Sequence, residues 1–183
     1  MIVIPPPLSA LCMKHLYAPW RTEYTQSVAH TKNEHAPADT CIFCTVVTEN
    51  NDELNFVLKR FKHTYVLLNR FPYNAGHLLV LPYVHQGELD ALPQETRIEL
   101  MEVSSACASI TRKILKAEGV NLGLNLGKAA GAGMPAHLHM HVLPRWIGDT
   151  NFLPTLNETK AISIDLSMVY NDLKPHLDAL VIE

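Results

Sequence analysis

His137-Leu138-His139-Met140-His141-Val142-Leu143-Pro144 sets three histidines at alternate positions among residues that are otherwise apolar. Successive side chains of an extended strand point to opposite faces, so His137, His139 and His141 share one face and Leu138, Met140 and Val142 the other. The apolar side belongs against a core. An imidazole face is costly to keep there unless each ring has a partner. The strand therefore marks the functional site.

At 183 residues and 48% hydrophobic, the chain can bury the core of one domain and still carry arms. A formal charge of -3 with no run of like charge argues against a nucleic-acid partner. A phosphate-bearing small molecule stays open, because local dipoles bind one without net positive charge. No window approaches the roughly 18 to 20 uninterrupted apolar residues of a membrane span, so no membrane partner is expected. The opening Met1-Ile2-Val3-Ile4-Pro5-Pro6-Pro7 lacks the basic start of a signal peptide, and its prolines break any apolar helix. A cytoplasmic protein is expected, with translation from Met13 as an alternative start. Of the four cysteines Cys12, Cys41, Cys44 and Cys107, only Cys41 and Cys44 are close, which is no disulfide framework. Cys107 falls in a helical pattern and reads as a small core residue.

Residues 1–40 read as irregular, with Leu16-Tyr17-Ala18-Pro19-Trp20-Arg21 offering aromatic surface for docking and a polar loop behind it. Apolar strand segments are expected at 55–58, 64–69 and 77–82, joined by turn chemistry such as Phe71-Pro72-Tyr73-Asn74-Ala75-Gly76. A long helix is expected from 93 to 118, with Pro93 in its first turn and Gly119 as its left-handed stop. Its apolar stripe is read as Ile98, Met101, Ala106, Cys107, Ile110, Ile114 and Leu115. A strand at 121–126, a glycine-rich turn at 127–133, the histidine strand, and a last helix at 166–180 bent or interrupted by Pro175 complete the chain. Strands bracketing one long helix give an α+β fold on a mainly antiparallel sheet.

Three imidazoles suit a catalytic zinc, but alternate positions on a strand are about 7 Å apart and ligands must converge. Cys41-Ile42-Phe43-Cys44 has the spacing that lets two thiolates reach one ion, and His85 and His137 would complete a Cys₂His₂ set. A reduced or redox-active pair is the competing reading. With His137 so engaged, His139 is the natural nucleophile, able to carry a phosphoryl or nucleotidyl group covalently. Asn125 and His141 could donate to the oxygens of the transferring phosphate. Gly127, Gly131 and Gly133 let backbone approach phosphates without side-chain obstruction.

These residues resemble the histidine triad (HIT) family of nucleotidyl transferases and hydrolases. The likeness rests on 137–144, on Cys41-Ile42-Phe43-Cys44, on Asn69 through His85 (NRFPYNAGHLLVLPYVH), on Leu124-Asn125-Leu126-Gly127 and on 144–152. With Tyr17-Ala18-Pro19-Trp20-Arg21, it covers most of the chain from about residue 16 to 175. The tail after the triad is similar to the branch that includes diadenosine tetraphosphate phosphorylases. The resemblance implies an arm at 1–40, a HIT catalytic domain at 41–153 and an extension at 154–183. It implies that His139 becomes nucleotidylated, that His141 and Asn125 hold phosphate oxygens, and that the backbone near His137 orients the nucleophile. Asn69 falls where the family bonds the ribose hydroxyls, and His77 lies behind the triad in a supporting place. A structural zinc on Cys41, Cys44, His85 and His137 is implied, as is a homodimer through the long helix and an adjoining strand. Gly133 and Met134 stand where many members have Gln-Ser, which weakens a phosphoramidase reading and leaves room for a second substrate such as inorganic phosphate.

The leading expectation is an enzyme that cleaves dinucleoside polyphosphates through a nucleotidyl-His139 intermediate. Its rivals are hydrolysis of nucleoside phosphoramidates or adenylated adducts, a nucleotide-binding sensor without catalysis, and a three-histidine metallohydrolase.

Overall fold

Three strands joined by tight turns open the sheet: β1 (Val57–Arg60), β2 (Thr64–Leu68) and β3 (Leu78–Pro82). The computed structural model describes residues 41–150 and 165–182. The expectations for the arm at 1–40, the start at Met13 and the boundary at 153 lie outside those residues. A helix α1 (Ile42–Glu49) precedes the sheet; α2 (Gln94–Ile114), β4 (Gly119–Leu124), β5 (Met140–Arg145) and α3 (Leu166–Asp178) follow. The strands pair antiparallel throughout in the order β1-β2-β3-β5-β4, so the α+β expectation holds.

One sheet face packs against α2 and α3. Leu58, Val66, Leu68, Leu78, Val80, Leu138, Met140 and Val142 meet Leu100, Val103 and Cys107 of α2 and Val169, Tyr170, Leu173 and Leu177 of α3. The other face carries a smaller cluster of Val57, Tyr65, Leu67, Leu79 and Leu81, roofed by Phe43, Val46 and Val47 of α1. Thus the histidine face of β5 shares its side of the sheet with α1. Alternation along β5 is kept, with Met140 and Val142 buried below and His141 half-buried above.

Several boundaries differ from the sequence reading. The first strand starts at Val57 and not at 55, because Asn55 N–H bonds back to Asn51 and Phe56 takes φ 54° in the turn. The long helix ends at Ile114; Lys116 supplies the positive φ of 55°, and Gly119 instead opens β4, where Glu118 N–H is drawn to the Arg145 carbonyl at 2.9 Å. Regular pairing of the histidine segment begins at Met140, so His137 and His139 precede the strand and are held by loop contacts. The last helix runs through Pro175 to Asp178 without interruption, since a proline there forfeits one N–H close to the end.

The expected stripe of α2 is corrected in part. Cys107 is buried and Ile110, Ile114 and Leu115 pack against the core as read, but Thr96, Leu100, Val103, Ser104 and Thr111 are the other buried residues, and Ile98 and Met101 face outward. Ser104 and Thr111 are hidden at low cost because their hydroxyls donate to the Leu100 and Ala108 carbonyls at 2.6 and 3.0 Å. Among the described residues no helix is long and apolar enough to cross a membrane.

Candidate functional site

The loop from Met134 to His139 is pinned before the strand begins. His137 N–H donates to the Met134 carbonyl at 3.3 Å, and Leu138 N–H to the Gln86 carbonyl at 2.7 Å. The second bond ties the triad to the segment just after His85. Gly87 lets the two chains pass this closely, because a Cβ there would lie 2.2 Å from the Pro135 carbonyl oxygen.

His137 is fully buried. Its Nε2 lies 2.9 Å from the Pro82 carbonyl, which only accepts, so Nε2 carries the proton and Nδ1 the lone pair. That lone pair points at Cys41 Sγ (3.4 Å) and Cys44 Sγ (3.5 Å), and Cys44 Sγ is 3.3 Å from His85 Nδ1. The four donor atoms all lie within 4.8 Å of one another. The donor set, the converging geometry and a ring nitrogen fixed by an outer carbonyl together fit a tetrahedral metal site. Burial, with Cys41 beside it, pushes the Cys44 thiol up to about 11, so without a cation Cys44 stays protonated. Cys41 caps α1 with extended backbone, and Tyr65 Oη holds the Phe43 carbonyl at 3.0 Å, so the helix start is clamped to the sheet.

His139, 8% exposed, turns away from that cluster. Its Nδ1 lies 2.9 Å from the His137 carbonyl, which makes Nδ1 the donor and leaves the lone pair on Nε2. The Phe43 ring packs on it at 5.3 Å between centroids. His141 presents the third state: its Nδ1 is 2.8 Å from His77 Nε2, while its own Nε2 is buried and has no hydrogen-bond partner among the described residues. Burial first, then neighbouring imidazoles, pushes His77 down to about 3 and His141 to about 4, so both are neutral at ordinary pH. For His137, burial, offset by the Pro82 bond, gives about 4.

The structure brings His77, His139 and His141 together, with Asn69 joined to His77 at 3.2 Å. β4 pairs Leu124 with Met140 at the end of the ladder, and Asn125 and His139 are the residues that follow and precede that pair. Gly127, Gly133 and Met134 line the turn between β4 and the triad, Gly127 with φ 74° and Gly133 exposed. The three triad rings do not converge on one ion; the described residues that do are Cys41, Cys44, His85 and His137.

Four contributors were not singled out from sequence. Phe43 lies between the two cysteines and packs on two triad rings. Tyr73 stacks on His141 at 5.6 Å and 20°. Asn74 donates to the Pro144 carbonyl at 3.0 Å and to Asp149 at 2.7 Å, and Asp149 also accepts from Arg145 and from Trp146 N–H. All four sit in stretches that the sequence marks as motif-like, but only the folded contacts give them a job.

Residues 50–146 match the HIT domain family. Over 150 residues the chain is 35% identical to an AP-4-A phosphorylase of Mycobacterium tuberculosis, covering 82% of this chain and 77% of that one. It is 30% identical over 105 residues to an adenosine 5'-monophosphoramidase of Saccharomyces cerevisiae, covering 57% and 62%. Among solved structures, a Zn-bound histidine triad family protein from Mycobacterium smegmatis superposes with a TM-score of 0.64 at 27% identity, over 78% of this chain and 96% of that one.

Proposed function

Since the chain belongs to the HIT family, we propose that it is a nucleotidyl transferase that cleaves dinucleoside polyphosphates, in the manner of a diadenosine tetraphosphate phosphorylase. The observation that carries this reading is the different setting of two adjoining rings. His139 has Nδ1 on a carbonyl, which leaves its lone pair on Nε2, and beside it the buried His141 Nε2 has no partner among the described residues while its Nδ1 faces His77. The first is a nucleophile and the second an oxyanion donor.

His139 Nε2 attacks the α-phosphorus of diadenosine tetraphosphate; a P–N bond forms, and the P–O bond to the remaining nucleoside triphosphate breaks, releasing ATP. The positive charge that develops on the ring is stabilised by Nδ1–H against the His137 carbonyl. His141, with Asn125 across the strand pair, takes the non-bridging oxygens. Inorganic phosphate then displaces the histidine and gives ADP, or water gives AMP, the acceptor losing its proton to solvent. Asn69 and the backbone of 127–134 frame sugar and phosphates, Gly133 and Met134 giving the acceptor room.

The metal in this reading is zinc, held by Cys41, Cys44, His85 and His137. It supplies a structural clamp, tying α1 to the loop before the triad. The outward Ile98 and Met101 of α2 and Leu122 of the edge strand β4 supply apolar surface for a homodimer. The deciding experiment is product analysis of diadenosine tetraphosphate cleavage with and without inorganic phosphate. ADP plus ATP only with phosphate supports the phosphorylase; AMP plus ATP regardless of phosphate makes it a hydrolase. No turnover, or turnover retained by His139→Ala, overturns the reading. Cleavage of phosphoramidates in preference to dinucleotides would shift it to the rival activity of the yeast relative.

A further inference from the structure

The hydrogen bonds that run away from the triad join His141 to Asn69 through one imidazole, His77. β2 and β3 pair Leu68 with Leu78, and one more step brings Asn69 opposite His77, closed by Asn69 N–H to the His77 carbonyl at 2.9 Å. The Asn69 carboxamide has one orientation, because its Oδ1 accepts from Phe71 N–H at 2.9 Å. Its NH₂ therefore faces His77 Nδ1 at 3.2 Å. Tyr73 backbone N–H donates to the same nitrogen at 3.1 Å. Two donors converge on Nδ1, so it holds the lone pair and the ring proton sits on Nε2. Nε2–H then donates to His141 Nδ1 at 2.8 Å. His141 is left with its own proton on Nε2, the buried nitrogen that has no partner among the described residues. His77 is fully buried with the Tyr73 ring 4.7 Å away, so the relay is shielded from water.

We propose that Asn69 is a positioning residue for the phosphate site: acting through His77, its carboxamide fixes the tautomer in which His141 offers an N–H, not a lone pair, to the phosphate oxygens. The inference rests on the reading of His141 as a phosphate donor, and it gives Asn69 a duty separate from any contact with ribose. The relay runs one way only. An Nδ1–H on His77 would confront the Tyr73 amide and the Asn69 NH₂ together. With Nε2 of His77 bare, His141 would have to turn its proton to Nδ1 and aim a lone pair at an anion.

The test is Asn69→Asp, which replaces the donor by an acceptor of the same shape. The carboxylate still takes the Phe71 N–H, and its other oxygen, as a charged acceptor, outweighs the remaining Tyr73 N–H and draws a proton onto His77 Nδ1. Ring ¹⁵N NMR of the full-length, ligand-free protein reads both tautomers directly. In the wild type His77 and His141 are expected as Nε2–H; in Asn69→Asp both move to Nδ1–H. The loss of one oxyanion donor corresponds to a fall in kcat of about 10²-fold. Wild-type His141 found as Nδ1–H overturns the proposal, whatever the fate of the variant. So does Asn69→Asp with His141 still Nε2–H, or an effect confined to KM for ribose substrates. Because the spectra need no substrate, a protein inactive on every nucleotide would overturn the functional reading while leaving the tautomers to be judged separately.

Discussion

Gly87→Ala isolates the close crossing on which the triad hangs. A Cβ at residue 87 would lie 2.2 Å from the Pro135 oxygen, 3.3 Å from the Pro135 carbonyl carbon and 3.4 Å from the Ala136 Cα. All three are backbone atoms, so no side chain can swing aside, and relief requires the two loop segments to part by roughly 1 Å. Overpacking of this kind costs about 1–3 kcal/mol. The same retreat stretches the adjacent Leu138 N–H bond to the Gln86 carbonyl, 2.7 Å long, which is worth about 1 kcal/mol. Together these give about 3 kcal/mol, a fall in Tm of roughly 6–12 °C for a chain of this size. Because 135–137 lead His137 into the cysteine cluster, metal retention should fall with it. Gly127→Ala is the control: its Cβ meets nothing within 4 Å, and only its backbone, φ 74° with ψ 170° in a region nearly reserved for glycine, costs it about 1–3 kcal/mol with no effect on the cluster. Thermal unfolding and metal content by mass spectrometry are measured on the same samples. Gly87→Ala as stable as the wild type, with its full metal complement, would refute the reasoning.

Cys44→Ser should lower bound zinc well below one per chain and reduce Tm, while chelation of the wild type reproduces the loss; unchanged metal content would remove Cys44 from the ligand set. His77 and His141 sit near 3 and near 4 in the folded chain against about 6.5 when unfolded. The unfolded chain therefore binds more protons in that window, and stability rises with pH: it is full above about pH 6.5 and is lost as the pH falls toward 4. Urea unfolding at several pH values should show this slope and a flatter one for His77→Asn; equal slopes would refute the assignment. Asp149→Ala removes the carboxylate from Arg145, which keeps Asn121, and from the buried Asn74, which keeps the Pro144 carbonyl, and should cost about 1–2 kcal/mol, read by denaturation, with Asp149→Asn intermediate; a loss below about 0.5 kcal/mol would make the contact superficial.

The sheet and both main helices were legible because their signals are local: alternation in the triad, the proline-started amphipathic run, and turn residues between short apolar segments. α1 was hidden by its composition. Ile42, Val46, Val47 and the two threonines favour strands, and the helix is kept by tertiary packing of Phe43, Val46 and Val47 on the sheet. The α2 stripe was misjudged for a related reason. Ile98 and Met101 are more hydrophobic than Thr96, Ser104 and Thr111, but sheet geometry selects the buried face, and helix carbonyls absorb the hydroxyls. At the site, the four cluster residues could be named from spacing and chemistry. The protonation of each ring could not, since it depends on partners such as Pro82, His77 and Tyr73 that only folding supplies.

In the proposed reaction, His137 links the candidate metal site to the proposed nucleophile His139. His137 belongs to both: its ring stands among Cys41, Cys44 and His85, and its carbonyl accepts Nδ1–H of His139. The link is a peptide group, not a chain of side chains. A substitution that removes the ring keeps the carbonyl, so any effect on His139 measures how firmly the cluster aims that carbonyl. One hydrogen bond to a developing imidazolium is worth about 1.5–3 kcal/mol, or roughly 10- to 150-fold in rate. That bounds what loss of the cluster can do to the chemical step when the chain stays folded. A larger loss of activity on chelation would point to unfolding of α1 and the 134–139 loop, which Cys41, Cys44, His85 and His137 bring together.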